Sequence, residues 1–193
     1  MKDSACQLGG GLSSISLLAP DPDKIQSDPK AKTLSFFCKR RPVRIDAAVI
    51  AELIHLGSVA DSRNVRVCLH ESPAAEHHDM IILEHRGRYY RPHRHNRKGE
   101  CFHIMRGEMG VFGFADDGEV LDAIRLNPGD IYRIEVGMYH AVMPLSDTVV
   151  YHESKPGPFL GESDSIYPSW APDGSDPAAV RAYVSSLLDR LRP

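Results

Sequence analysis

The stretch that decides the fold reads Gly87-Arg-Tyr-Tyr-Arg-Pro-His93-Arg-His95-Asn-Arg-Lys-Gly-Glu100-Cys-Phe-His103-Ile-Met-Arg-Gly107. The polar residues Asn96 to Gly99 divide it into two runs, so the chain is expected to extend, turn and return. Successive side chains of a strand leave opposite faces. His93 and His95 therefore share a face, and Glu100 opens the return strand with its carboxylate able to aim back at both rings. Outward from this hairpin the pattern repeats. Strands are expected at 65–69, 80–85, 89–95, 100–105, 109–115, 119–126, 131–134, 139–143 and 148–153. Turn chemistry separates many of them, at Arg106-Gly107, Asp116-Asp117-Gly118 and Asn127-Pro128-Gly129-Asp130. Nine short strands with no helix between them predict an all-β antiparallel sandwich or barrel.

His140 follows a turn at Glu135 to Met138, on a later strand. Three imidazoles and one carboxylate suit one divalent transition metal (Zn, Fe, Mn or Ni), with positions open for water or substrate. The metal-ligand candidates are thus His93, His95, Glu100 and His140.

The spacing Gly87-x5-His93-x-His95-x4-Glu100-x6-Gly107 resembles the first sequence motif of the cupins without a gap. By composition, a chance match is on the order of 1 in 10,000. The second cupin motif is matched at Gly129, Gly137 and His140. It departs at Glu135, where proline is usual, and at Pro144, where asparagine is usual. The segments Arg66 to Ser72, Arg91 to His95, Lys155 to Phe159 and Trp170-Ala-Pro172 are similar to the small WbuC-type cupin metalloproteins. The resemblance covers roughly 43–172. It implies a double-stranded β-helix (a jelly-roll barrel), a metal site, a homodimer and a setting among genes for bacterial surface polysaccharide.

Residues 1–42 read as an N-terminal extension, partly flexible, with one short strand at Leu34 to Cys38 and a basic cluster at Lys39-Arg-Arg41. The cupin metal-binding domain is expected over 43–172, with a helix starting from Asp46 as N-cap and ending at Gly57. Residues 155–172 are proline-rich and expected on the surface. The last segment, 173–193, is a C-terminal helix with Asp176 as N-cap and Pro177 at its first position.

Around the metal candidates, parity puts Tyr89 and Arg91 on the face of His93 and His95. Arg91 is a candidate for binding an anionic substrate, and Tyr89 for moving a proton. His70 belongs at the cavity mouth or in a structural hydrogen bond, so it is a second substrate-binding candidate. Glu153 is a candidate general base. His103 has the opposite parity to Glu100 and should face away; His77-His78 read as a solvated turn, and His85 as surface. Residues 85–98 hold Arg86, Arg88, Arg91, Arg94, Arg97 and Lys98 and no acid, against a net charge of −3 for the whole chain. That overall balance argues against nucleic acid as a partner and leaves a small, anionic ligand.

Four cysteines at wide spacing give no disulfide framework, and no run is long enough to span a membrane. The uncharged run Ser4 to Pro20 is broken by Gly9-Gly10-Gly11 and makes a poor secretion signal, so a cytoplasmic location is expected. Three functions fit the site. The first is a metal-dependent enzyme acting on a small anionic or sugar-like metabolite by isomerisation, epimerisation or hydrolysis. The others are an Fe(II)-dependent dioxygenase and a non-catalytic ligand-sensing cupin.

Overall fold

The computed structural model describes residues 14–29, 31, 33–39, 42–59 and 63–191. The N-terminal run up to residue 13, and Arg40 and Arg41 of the basic cluster, lie outside the described residues. Ten strands and two α-helices follow in the order β1 (Ile25–Asp28), β2 (Leu34–Cys38), α1 (Ala47–Val59), β3 (Val65–Cys68), β4 (His77–His85), β5 (Glu100–Arg106), β6 (Met109–Phe114), β7 (Val120–Leu126), β8 (Ile131–Ile134), β9 (Tyr139–Pro144), β10 (Thr148–Pro156) and α2 (Pro177–Leu188). A short 3-10 turn, Gly161–Asp164, lies between β10 and α2.

The strands form a seven-stranded sheet, ordered β1-β2-β3-β4-β10-β5-β8, and a three-stranded sheet, ordered β7-β6-β9. The mostly-β class with flanking helices is as expected. The closed jelly-roll barrel is not: among the described residues neither sheet closes on itself, and the chain folds as two open sheets. Among the described strands all pairings are antiparallel except β2 with β3. A parallel pair needs a crossover, and α1 supplies it.

Alternation along the strands sorts the core into layers. Between the sheets lie Met80 and Ile82 of β4, Phe102 and Ile104 of β5, Tyr151 of β10, and Met109 and Val111 of β6. The other face of the large sheet presents Val65, Val67, Ile81, Leu83 and Val150 to α1 and to the N-terminal segment. Outside the small sheet, Phe112, Phe114 and Ala141 pack with Leu187 of α2. Residues read from sequence as an extension thus contribute two strands and the buried Leu17, Ile25, Phe36 and Cys38.

Three local expectations change. Helix α1 is capped by Asp46, whose Oδ1 accepts from Ala48 N at 3.1 Å and Val49 N at 3.2 Å, but Gly57 does not end it. Gly57 is buried inside the helix, where a Cβ would come within 2.7 Å of Leu83 Cδ2, so its lack of a side chain lets α1 settle on β4. Residues 89–95 do not form a regular strand: pairing is limited to single bridges, His93 with His140 and Arg94 with Ile166. Pro92, with no N–H to donate, interrupts the ladder just before them. Finally, β4 begins at His77, which brings the supposed turn residues His77 and His78 into the sheet.

Candidate metal centre

His93 and His95 come from the extended segment before β5, Glu100 from the first position of β5 and His140 from β9. Two constraints bring them together. His93 and His140 exchange backbone hydrogen bonds of 2.9 and 2.8 Å, and Gly137 N donates to His95 O at 3.0 Å. Those bonds tie the segment to the strand of the small sheet that carries the third imidazole. One ligand atom from each of the four residues lies within 4.8 Å of the others. His95, Glu100 and His140 are buried, and His93 is half-buried.

The outer nitrogens set the chemistry of the inner ones. Nδ1 of His93 lies 3.2 Å from Arg91 O, that of His95 2.5 Å from Asp164 O, and that of His140 3.1 Å from Met138 O. A backbone carbonyl only accepts, so each Nδ1 carries the proton and each Nε2 turns a lone pair inward. His95 Nε2 lies 3.0 Å from Glu100 Oε1 without the alignment of a hydrogen bond, and His140 Nε2 lies 2.9 Å from Glu100 Oε2. Lone pairs facing a carboxylate at that range call for a cation between them. The residues therefore fit a divalent ion, held by His93, His95, His140 and Glu100.

Charge balance in the cluster points the same way. Burial, then the neighbouring His140, lowers the His93 pKa to about 4, so His93 is neutral near pH 7. For His95, burial opposes charging, but the Glu100 carboxylate outweighs it and the pKa is raised. Burial alone would raise the Glu100 pKa. Where no metal is bound, protons donated from His140 and His95 and the Lys155 ammonium reverse that and hold it well below the usual carboxylate range. Lys155 Nζ lies 2.7 Å from Glu100 Oε1 and 2.8 Å from Glu153 Oε1. Burial works against its charge, yet Glu153 and Glu100 push its pKa up.

Glu153 is thus linked to the metal candidates through Lys155. The signal for Lys155 was available: it shares strand parity with Tyr151 and Glu153 on β10, a face that turns inward. His103 faces away, since Glu100, Phe102 and Ile104 are the buried positions of β5. Tyr89 and Arg91 are not delivered to the cluster. The Tyr89 hydroxyl donates to Pro172 O at 2.8 Å, and Arg91 Nη2 donates to Pro168 O at 2.6 Å while its guanidinium lies 5.2 Å from the centre of the Tyr167 ring. With the strand broken at Pro92, parity counted from His93 no longer holds upstream.

What Tyr89 and Arg91 grip is the segment after β10, expected on the surface. It crosses over the centre. Asp164 is buried, supplies the carbonyl for His95 Nδ1 and pairs through its carboxylate with the buried Lys98; Tyr167 sets its ring 6.2 Å from that of His93. The basic run is largely consumed this way, with Arg86 on Asp147 and Arg94 on Asp116.

His70 is buried and stacks on His78, with ring centres 4.1 Å apart and planes 5° from parallel. His78 is buried rather than solvated because it points between the sheets, with the parity of Met80 and Ile82. Both line a chamber of about 890 Å3, together with Arg66, Lys155, Phe159 and Tyr167. Through Lys155 and Tyr167 the chamber adjoins the four-residue cluster. Among the described residues no helix is long and apolar enough to cross a membrane.

A family model described as a domain of unknown function, DUF6016, matches residues 45–126. No curated protein matches this chain. The solved structures similar to it include cupin-domain proteins. One is the Cnp3 cupin domain of Schizosaccharomyces pombe, at 12% identity and a TM-score of 0.41 over 48% of this chain and 64% of that one. Another is oxalate decarboxylase from Bacillus subtilis, at 15% and 0.44 over 54% of this chain and 27% of that one. A third is KdgF from Halomonas sp., at 20% and 0.39 over 48% of this chain and 77% of that one. The chain spans less than two thirds of the first two.

Proposed function

We propose that this chain is a metal-dependent cupin enzyme acting on a small anionic, sugar-like metabolite, of the kind processed in surface polysaccharide synthesis, by isomerisation, epimerisation or hydrolysis. The observation that carries the reading is the inward set of three Nε2 lone pairs around the buried Glu100 carboxylate. A divalent ion bound there would polarise a carbonyl or lower the pKa of a water. The chain's own groups do the rest. Lys155 bridges Glu100 and Glu153, so Glu153 is positioned to take a proton at its carboxylate and Lys155 to return one from Nζ. This assigns proton transfer to Glu153 with Lys155 rather than to Tyr89, whose hydroxyl is engaged by Pro172. The segment over the centre contacts the ligands through Asp164, whose carbonyl holds His95, and Tyr167, whose ring lies beside His93. The enzyme is proposed to work in the cytoplasm as a homodimer.

Metal analysis of protein purified without added metal tests the reading. About one equivalent of a divalent transition metal is expected, lost in His93→Ala along with turnover of sugar nucleotides or small acidic sugars. Oxygen consumption by an iron-loaded sample would replace this reaction class with a dioxygenase. Ligand binding with no turnover of any such compound would replace it with a sensor.

A further inference from the structure

The two ends of the chamber beside the centre differ in chemistry. At the near end is Lys155, whose ammonium has three donors and spends two on Glu100 and Glu153. Glu100, Glu153 and Lys155 together carry −1. A divalent ion held by Glu100 and the three histidines would turn this to +1, which one anionic charge would neutralise. At the far end is Arg66, on the inward face of β3, with its Nε buried and unpaired and its Nη2 3.3 Å from Ser35 Oγ. Asp28 and Glu162 line the chamber as well, so selection rests on these local donors rather than on a general positive field.

His70 lines the same chamber. Its Nδ1 lies 3.2 Å from Asp79 O, which fixes the proton there and makes Nε2 an acceptor. Burial, then the stacked His78, lowers its pKa to about 4, so it stays neutral. Phe37 meets the His70 ring edge-on at 5.6 Å, and Phe159 and Tyr167 add aromatic wall. An acceptor and aromatic surface suit a hydroxylated ring. The volume is that of a small-molecule site.

Resting on the reading of the centre given above, we infer that the chamber binds a hydroxylated ring compound carrying an oxyanion. The oxyanion pairs with Lys155 beside the metal ligands, a ring hydroxyl donates to His70 Nε2, and Arg66 donates to the far oxygens.

Calorimetric titration of the metal-bearing protein with D-glucuronate, D-glucose 6-phosphate and D-glucose tests this, with metal content measured on the same samples. At least one anionic sugar is expected to bind about tenfold or more tightly than glucose. The stronger of the two identifies a carboxylate or a phosphate as the oxyanion. His70→Phe keeps the stack and removes the acceptor, and Arg66→Gln removes the far cation. Each should weaken the anionic sugar about fivefold or more while metal content holds. Lys155→Met should abolish the preference over glucose, and Lys155→Arg should restore most of it. If Lys155→Met fails to fold, His70→Phe and Arg66→Gln carry the test alone. The inference falls if neither anionic sugar binds up to about 10 mM, if glucose binds as well as both, or if His70→Phe and Arg66→Gln leave affinity within about twofold. Lys155-dependent anion binding by a protein without metal would keep this site and overturn the function proposed above. Full metal with no anion preference would do the reverse.

Discussion

The chain buries two groups of imidazoles near each other, and they are built on opposite plans. In the group of His93, His95 and His140 the ring planes cross at 80°, 51° and 50°, and a carboxylate stands among them. In the pair of His70 and His78 the planes are nearly parallel at 4.1 Å, so the nitrogens point sideways, past one another. Both groups use backbone carbonyls to fix a proton on an outer nitrogen. Convergence on Glu100 is what separates a group that could hold a metal from a packed wall. Burial of histidine alone does not make a ligand.

The sharpest way to break that comparison is to remove the carboxylate. Glu100→Ala should keep the fold, since Lys155 retains Glu153 as a partner, and should weaken metal binding by more than about 100-fold. His70→Phe in the same assay should leave metal content unchanged. Metal analysis after dialysis against a weak chelator reads both. Equal loss in the two variants would mean that the two groups form one site.

The difference between the groups was only half legible in the sequence. Spacing marked His93, His95 and Glu100 as one set, but the expected hairpin does not join them: His93 bridges to His140 of β9, and β5 pairs with β8 and β10. His140 needed a turn and a later strand, and the turn residues supplied them. His78 was misread because His77-His78-Asp79 is polar, and polarity hides a strand whose inward position carries an imidazole instead of an apolar side chain. The segment after β10 was misread for another reason. Its prolines give no periodicity, so nothing local announces that Asp164 will hold a ligand and Tyr167 will face His93. Strand β1, Ile25–Asp28, carries one buried apolar residue and no alternation, so nothing in its own pattern marks it as a strand although it pairs with the next one, β2.

Acid distinguishes the groups next. The fold lowers the His70 pKa from 6.5 to about 4 by burial, then by His78. The unfolded chain takes up this proton as pH falls through about 6.5, and the folded chain resists until about 4. Stability contributed by the neutral ring is therefore complete above 6.5 and lost on the way down to about 4. In His70→Phe that part of the slope should vanish, so urea midpoints measured between pH 7 and 4 should fall less steeply than in the unaltered protein. A parallel fall in both would show that the ring is not held neutral by its stack.

The smallest effect tests whether a carbonyl merely accompanies a ligand or holds it. Asp164 offers His95 Nδ1 its backbone oxygen at 2.5 Å, and its carboxylate is anchored by Lys98 and by Leu160 N at 3.1 Å. Asp164→Ala leaves that oxygen in the chain but removes both anchors, so the carbonyl is free to drift and the His95 ring with it. Loss of an orienting partner of this kind costs about tenfold in metal affinity. Lys98→Ala cuts only the ion pair and leaves the Leu160 anchor, so it should cost no more than that. The double variant should be little worse than Asp164→Ala alone, because that change already removes the link to Lys98. Competition with a fluorescent chelator measures all three. Additive losses would place Lys98 and Asp164 in separate roles, and unchanged affinity in Asp164→Ala would show that the ring is held by its packing against His93 and His140 alone.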